Sequence, residues 1–302
     1  MTTTARDERR LGVHAWAPLP FAAWAVFMLV RRELRIDHVA LLMVVSLLAF
    51  AAPWTRRLLS GLYPIALVAL VYDSMRVITS PLTADRVHLC DLHALEARLF
   101  GWSEGGAVRT VHDWLQPRAH LALDVYFAIP YGTFIFATIA FAAWLFKKDQ
   151  PAFRRFGWMF LVLNVAGFVT YRLIPAAPPW YFHLRGCAVD PLQPASAGPN
   201  LTRVDGLLGF PYFASMYARS TNVFGAVPSL HVTYPLLVVL EGRTVLGRAM
   251  RAATIVYFAS MCVAAVYLDH HWVIDVVLGV AYAVAARALV RSVAARWEQA
   301  AT

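Results

Sequence analysis

His271 and Asp275 lie four residues apart in the segment Tyr267-Leu268-Asp269-His270-His271-Trp272-Val273-Ile274-Asp275, which runs into an apolar stretch. On a helix that spacing puts both side chains on one face. An acid about one turn, roughly 6 Å, inside a membrane span is costly without a partner, so its default reading is functional. An imidazole that donates one N–H to such a carboxylate has its tautomer fixed, and its other nitrogen becomes the nucleophile or base. A second histidine, His231, closes Gly225-Ala226-Val227-Pro228-Ser229-Leu230-His231 at the head of another apolar stretch. Pro228 and Ser229 suit a helix start, with Ser229 as cap. The free amides of that first turn offer an anion site. Both motifs also have plainer readings, an interface histidine bonded to a carbonyl and a helix-stabilising His-Asp pair.

The composition says what scaffold must position these residues. Hydrophobic residues make up 60% of the 302 and charged ones 15%, too few to solvate a soluble protein of that length. Apolar runs of roughly 18 to 25 residues, the length that crosses a hydrocarbon core as helix, recur along nearly the whole chain. Read from charge to charge, they predict an all-α polytopic transmembrane bundle of about eight spans, near 14–31, 37–54, 58–79, 121–146, 154–174, 228–246, 250–268 and 271–291. The net charge of +9 comes largely from arginines clustered at the ends of these runs, a pattern of headgroup-facing anchors and not of nucleic-acid binding. Arg6, Arg9 and Arg10 precede an apolar stretch without a small-residue cleavage site, so the first run reads as a retained span.

Orientation follows from the basic loops. Lys147, Lys148, Arg154 and Arg155 mark one cytoplasmic loop and Arg243, Arg248 and Arg251 another. The tail with Arg287, Arg291 and Arg296 falls on the same side, which turns the 175–227 loop and the 268–271 link outward. Arg31, Arg32 and Arg35 fit this scheme less well, so an early segment is a candidate for lying in the interface. Two crossings separate the starts of the helices carrying His231 and His271, so both histidines return to the outer face. Arg172 arrives there too, and this convergence describes a phosphoryl-transfer site.

The 80–120 connection is read as surface-lying amphipathic helices, from Leu92, Leu95, Leu99 and Phe100 and then Val111, Trp114 and Leu115. His88, Cys90, Asp91 and His93 superficially resemble a metal site but lack zinc-finger spacing, so no metal is expected. Cys90, Cys187 and Cys262 show no paired spacing, and the sequence leaves a disulfide between the first two open without supporting it. The division expected is N-terminal helices at 1–80, an interfacial segment at 81–120, a catalytic core at 121–291 and a cytoplasmic tail at 292–302.

Pro228-Ser229-Leu230-His231, followed by His271 and Asp275, resembles the second and third signatures of the type 2 phosphatidic acid phosphatase superfamily. The likeness is closest to its inositol phosphorylceramide synthase branch, the fungal enzymes targeted by aureobasidin A. That branch has Leu before its first catalytic His and a double His in its last motif, as Leu230 and His270-His271 stand here. Tyr171-Arg172-Leu173-Ile174-Pro175-Ala176-Ala177-Pro178-Pro179-Trp180-Tyr181 resembles the same branch's Pro-rich segment. The resemblance covers residues 85–291. It departs where phosphatase members carry Ser-Arg ahead of the last His, since this chain has Ala264 and Ala265, and the Lys and Arg of their first signature are absent.

The resemblance implies transfer of a phospho-headgroup, inositol phosphate-like, from a glycerophospholipid to a lipid alcohol such as ceramide. His271 is then the nucleophile, Asp275 the stabiliser of its imidazolium, and His231 the acid and then base. With the family's cations missing, phosphate falls to Arg172 first and Arg219 second, with Ser229. Tyr171, Tyr267 and His270 are expected to line the substrate. No cofactor and no metal is expected, and the partners are the bilayer and its lipids, not nucleic acid. A bacterial plasma membrane, with the site on its periplasmic or extracellular face, is the expected location. Two other readings stay open: a lipid phosphate phosphatase that hydrolyses a monoester or pyrophosphate, and a proton-coupled transporter using His and Asp as a relay.

Overall fold

The computed structural model describes residues 14–78, 82–218 and 223–300. Leu19–Val30 (α1), Ile36–Phe50 (α2) and Pro53–Ile78 (α3) come first, then Cys90–Phe100 (α4). A hairpin of Trp102–Glu104 (β1) and Ala107–Arg109 (β2) leads to Val111–Leu115 (α5) and the long helices Leu121–Lys148 (α6) and Gln150–Leu173 (α7). The long 175–227 loop holds Pro179–Arg185 (α8), Gly198–Leu208 (α9) and Tyr212–Ala218 (α10). Leu230–Val245 (α11), Arg248–Tyr267 (α12) and Val273–Ala300 (α13) complete the chain.

The protein is an all-α polytopic membrane protein. Among the described residues five helices, α3, α6, α7, α12 and α13, are long and apolar enough to cross a bilayer. The sequence pattern predicts about eight spans, and the difference is one of length. α1 and α2 have 12 and 15 residues, and α11 has 16. Between the two amphipathic pieces that the sequence predicts, residues 102–109 form the hairpin. Gly105 and Gly106, at φ 61° and 82°, supply its tight turn.

The chain forms two compact units. The first takes the residues up to Val77 together with Ala142–Leu161. Its helices pack through small residues: a Cβ on Gly157 would lie 2.2 Å from the Gly61 carbonyl oxygen, so α3 and α7 approach there backbone to backbone. Asp73 accepts hydrogen bonds from Arg35 at 2.7 Å and from His38 at 2.8 Å, which accounts for an acid near the end of an apolar helix.

The second unit, Ile78–Phe141 with Val162–Thr302, contains the histidine motifs. α11 packs against both α12 and α13. At one end of these helices the buried Glu241 accepts from Arg287 and Arg291 at 2.9 and 3.2 Å. At the other end the long 175–227 loop is stitched back by β-bridges that join His88 to Ala176 and Ala176 to Gly225. Leu92, Ala176, Ala226, Val227 and Trp272 form a small core directly beneath this stitching.

Candidate active site

The imidazoles of His231 and His271 meet at that end of the helices, with His231 Nδ1 3.0 Å from His271 Nε2. His231 sits in the first turn of α11 behind Ser229, which is the N-cap residue by backbone conformation. His271 precedes α13, which begins at Val273, so His271 and Asp275 do not share a helical face as their spacing predicts. His271 Nδ1 donates to the Ala226 carbonyl at 3.0 Å. The Asp275 carboxylate lies farther off, 3.5 Å from the same nitrogen, beyond a good hydrogen bond. Asp275 Oδ2 instead accepts from the Trp272 amide at 2.8 Å. The Asp275 carbonyl takes the Ser229 amide at 3.0 Å, which ties the two motifs backbone to backbone.

This arrangement fixes the tautomer of His271 by a carbonyl and not by an acid. Burial pushes its pKa down to about 4, opposed by the Ala226 hydrogen bond and reinforced by His112 nearby. A neutral imidazole that donates from Nδ1 must carry its lone pair on Nε2, the atom facing His231. Tyr131 stacks on the His231 ring with centroids 4.4 Å apart, and Phe134 packs on it at 4.9 Å.

The other residues expected at the site divide into supports and absentees. The Tyr171 hydroxyl donates to the Pro228 carbonyl at 2.8 Å, steadying the turn that leads to His231. His270 bonds neither imidazole of the pair: its Nε2 bonds the Ala197 carbonyl at 2.8 Å and its ring stacks on Tyr217 and on Tyr131. Tyr267, expected to line substrate, sends its hydroxyl to the buried Asp124 at 3.0 Å. The Ser229 hydroxyl is fully buried and, contrary to the expected cap, bonds nothing among the described residues. Arg172 ends α7, where its carbonyl accepts from Arg86, and among the described residues its guanidinium bonds neither imidazole. Arg219 lies outside the described residues.

Several residues not singled out from the sequence hold the site in place. The Glu96 carboxylate, wholly buried, accepts from the amides of Val273 and Ile274 at 3.0 and 3.2 Å and so caps α13. Its helix α4 turns this acid inward and leaves Leu95 and Leu99 exposed, the reverse of a soluble amphipathic helix and suited to a lipid surface. Trp272 donates its indole N–H to the Ala177 carbonyl at 2.9 Å. Cys90 and Cys187 are disulfide-bonded, a pairing across 97 residues that spacing alone does not disclose. Cys90 is so engaged, His88 is bonded to Asp91, and His93 stacks on Phe182.

A glycine sets the approach of α13 to the His231 turn. A Cβ on Gly279 would lie 2.6 Å from the Ser229 carbonyl oxygen. Gly279→Ala is therefore expected to cost about 1 to 3 kcal/mol of stability by overpacking. Thermal unfolding in detergent would show the loss, and turnover should fall with it as the two histidines part.

Residues 90–289 match the PAP2 superfamily. The chain belongs to this superfamily. Among its relatives is a phosphoinositol dihydroceramide synthase of Bacteroides thetaiotaomicron, 34% identical over 254 residues that make up 83% of this chain and 82% of that one. An inositol phosphorylceramide synthase of Candida albicans is 30% identical over 62% of this chain, and the catalytic subunit of that synthase from Schizosaccharomyces pombe 31% over 56%. The alignments span only 39% and 40% of those two longer fungal proteins. No solved structure matches. His231, His271 and Asp275 all fall within the PAP2 match.

Proposed function

We propose that this protein transfers a phospho-headgroup, inositol phosphate or one like it, from a glycerophospholipid to a lipid alcohol such as ceramide. The observation that carries this reading is the 3.0 Å contact of two imidazoles, one with its nucleophilic nitrogen free of protons, in a chain similar over most of its length to a phosphoinositol dihydroceramide synthase.

Two displacements at phosphorus do the work. The donor phosphodiester enters between the rings, and His271 Nε2 forms a bond to phosphorus as the bond to the glyceride oxygen breaks. His231 gives that oxygen a proton, and diacylglycerol leaves. The acceptor hydroxyl then loses its proton to His231 and attacks the phosphohistidine, which frees Nε2 and makes the new phosphodiester. Positive charge on His271 during the intermediate is met by the Ala226 carbonyl at 3.0 Å and the Asp275 carboxylate at 3.5 Å. The amides opening α11, the Ser229 hydroxyl and the Arg172 side chain are the groups assigned to the phosphoryl oxygens.

An apolar groove of about 450 Å³ beside the pair supports a lipid substrate; Gly132, Ile135, Phe210, Tyr212 and Met216 line it. Phe134 belongs to its wall and also packs on His231. The disulfide between Cys90, at the start of α4, and Cys187, just after α8, supports an outward orientation, since such bonds persist in oxidising compartments. Water in place of the lipid alcohol would make the same residues a phosphatase. The Ala264 and Ala265 that stand where phosphatase members carry Ser-Arg weigh against that outcome.

Purified protein in nanodiscs, given a phospholipid donor labelled in its headgroup and a ceramide acceptor, should form a labelled sphingolipid and one diacylglycerol per turnover. Water-soluble labelled phosphate with no new lipid would remove the transferase reading.

A further inference from the structure

The residue before the histidine pair carries structure that the displacement steps do not use. Asp269 adopts the left-handed backbone conformation, φ 66°, which side chains other than Gly seldom take. The amides of His270 and His271 both donate to the Ala265 carbonyl, at 3.2 and 3.0 Å. From this turn the two adjacent imidazoles depart to different partners, His270 to Tyr217 and the Ala197 carbonyl, His271 to His231 and the Ala226 carbonyl.

Both oxygens of the buried Asp269 carboxylate are engaged. Oδ1 accepts from His112 Nδ1 at 2.8 Å and Oδ2 from His183 Nδ1 at 2.6 Å. The Asp269 carbonyl also accepts the Trp180 amide at 2.9 Å. One carboxylate thus ties α5, α8 and the catalytic turn together. A Gly or Asn would suffice to make the turn. The buried charge and its two imidazoles exceed what the backbone requires, because a buried carboxylate is costly unless fully hydrogen-bonded.

We infer that Asp269 is a positioning residue: clamped by His112 and His183, it fixes the direction in which His271 presents Nε2 to phosphorus. This rests on the reading of His271 as the nucleophile. His112 is fully buried, so water reaches the clamp through His183, whose side chain is 31% exposed. Asp113 on α5 and His93 on α4 are the other titratable groups that face it. Burial lowers the His183 pKa, but Asp269 and then Asp113 outweigh it and leave the group above its ordinary value. Burial likewise raises the Asp269 carboxyl, and the hydrogen bonds from His112 and His183 more than offset this. The contribution of the charged His183 to the clamp is therefore fully present below the ordinary histidine value of 6.5 and is lost as pH rises through the elevated His183 value.

The test uses the full chain in nanodiscs with Asp269→Gly, Asp269→Asn and His183→Asn. Glycine favours the same backbone conformation while removing the clamp. Asp269→Gly should lower kcat at least about 30-fold, as expected for a misaimed nucleophile, with KM for the donor held within about twofold. Asp269→Asn, which retains one acceptor oxygen, should fall between that variant and wild type. His183→Asn should flatten the alkaline limb of the kcat profile. Wild-type turnover in Asp269→Gly would overturn the inference, because backbone conformation alone would then suffice. Should that variant not fold, an unchanged kcat and pH profile in His183→Asn would overturn it equally. The nucleophile reading fails separately: it is lost if wild-type protein forms no adduct on His271, whereas a labelled His271 beside a fully active Asp269→Gly rejects the clamp alone.

Discussion

His271→Asn is expected to lose headgroup transfer by a factor on the order of 10³ or more while the protein stays folded. An Asn amide nitrogen occupies the place of imidazole Nδ1 and can keep the donor bond to the Ala226 carbonyl, now 3.0 Å. It has no counterpart of Nε2, so the nucleophile alone is removed. The check is turnover of a labelled phospholipid beside thermal unfolding of the same sample. The pH dependence of the wild type should bear the same mark. Because burial holds His271 near 4, its neutral, nucleophilic form persists well below the ordinary histidine value, and transfer should not collapse on the acid side at pH 6 on its account. The same shift carries a stability cost. An unfolded chain takes up these protons near 6.5, as the folded one does not until about 4 for His270 and His271. Folding stability should accordingly fall as pH drops through that window.

His231→Asn is expected to reduce transfer by about 10² to 10⁴, the usual reach of a proton-transfer group. Its defect should depend on the leaving group. A donor whose alcohol is acidic enough to depart unprotonated should still label the variant, whereas a diacylglycerol donor should not. The second step should fail with both, because the acceptor hydroxyl loses its base. Equal impairment of the labelling step with the two donors would assign His231 a packing role, for which its stacking on Tyr131 at 4.4 Å offers a ready explanation.

What could be read in the sequence was what membrane topology enforces. Hydropathy and basic loops put His231 and His271 at one end of the helices, and their rings meet at 3.0 Å. What could not be read was the local turn geometry. A spacing of four implies a shared helical face for His271 and Asp275, yet α13 starts only at Val273, and a carbonyl from the loop takes the imidazole N–H. Such a partner leaves no trace in residue type, since every residue has a carbonyl. Glu96 escaped notice for a related reason: an acid in an amphipathic segment reads as solvated, and only the fold reveals that it caps a helix 177 residues onward. Asp269 stood within the same motif as the histidines, but its two imidazole partners come from helices distant in sequence.

The covalent step is the most direct test. Protein in nanodiscs is mixed with a phospholipid labelled in its headgroup, no acceptor is supplied, and the reaction is quenched under alkaline conditions that preserve phosphohistidine. A burst of one diacylglycerol per active site, with the label on the peptide that contains His271, is the predicted result. No burst, or a label on another residue, would contradict the account.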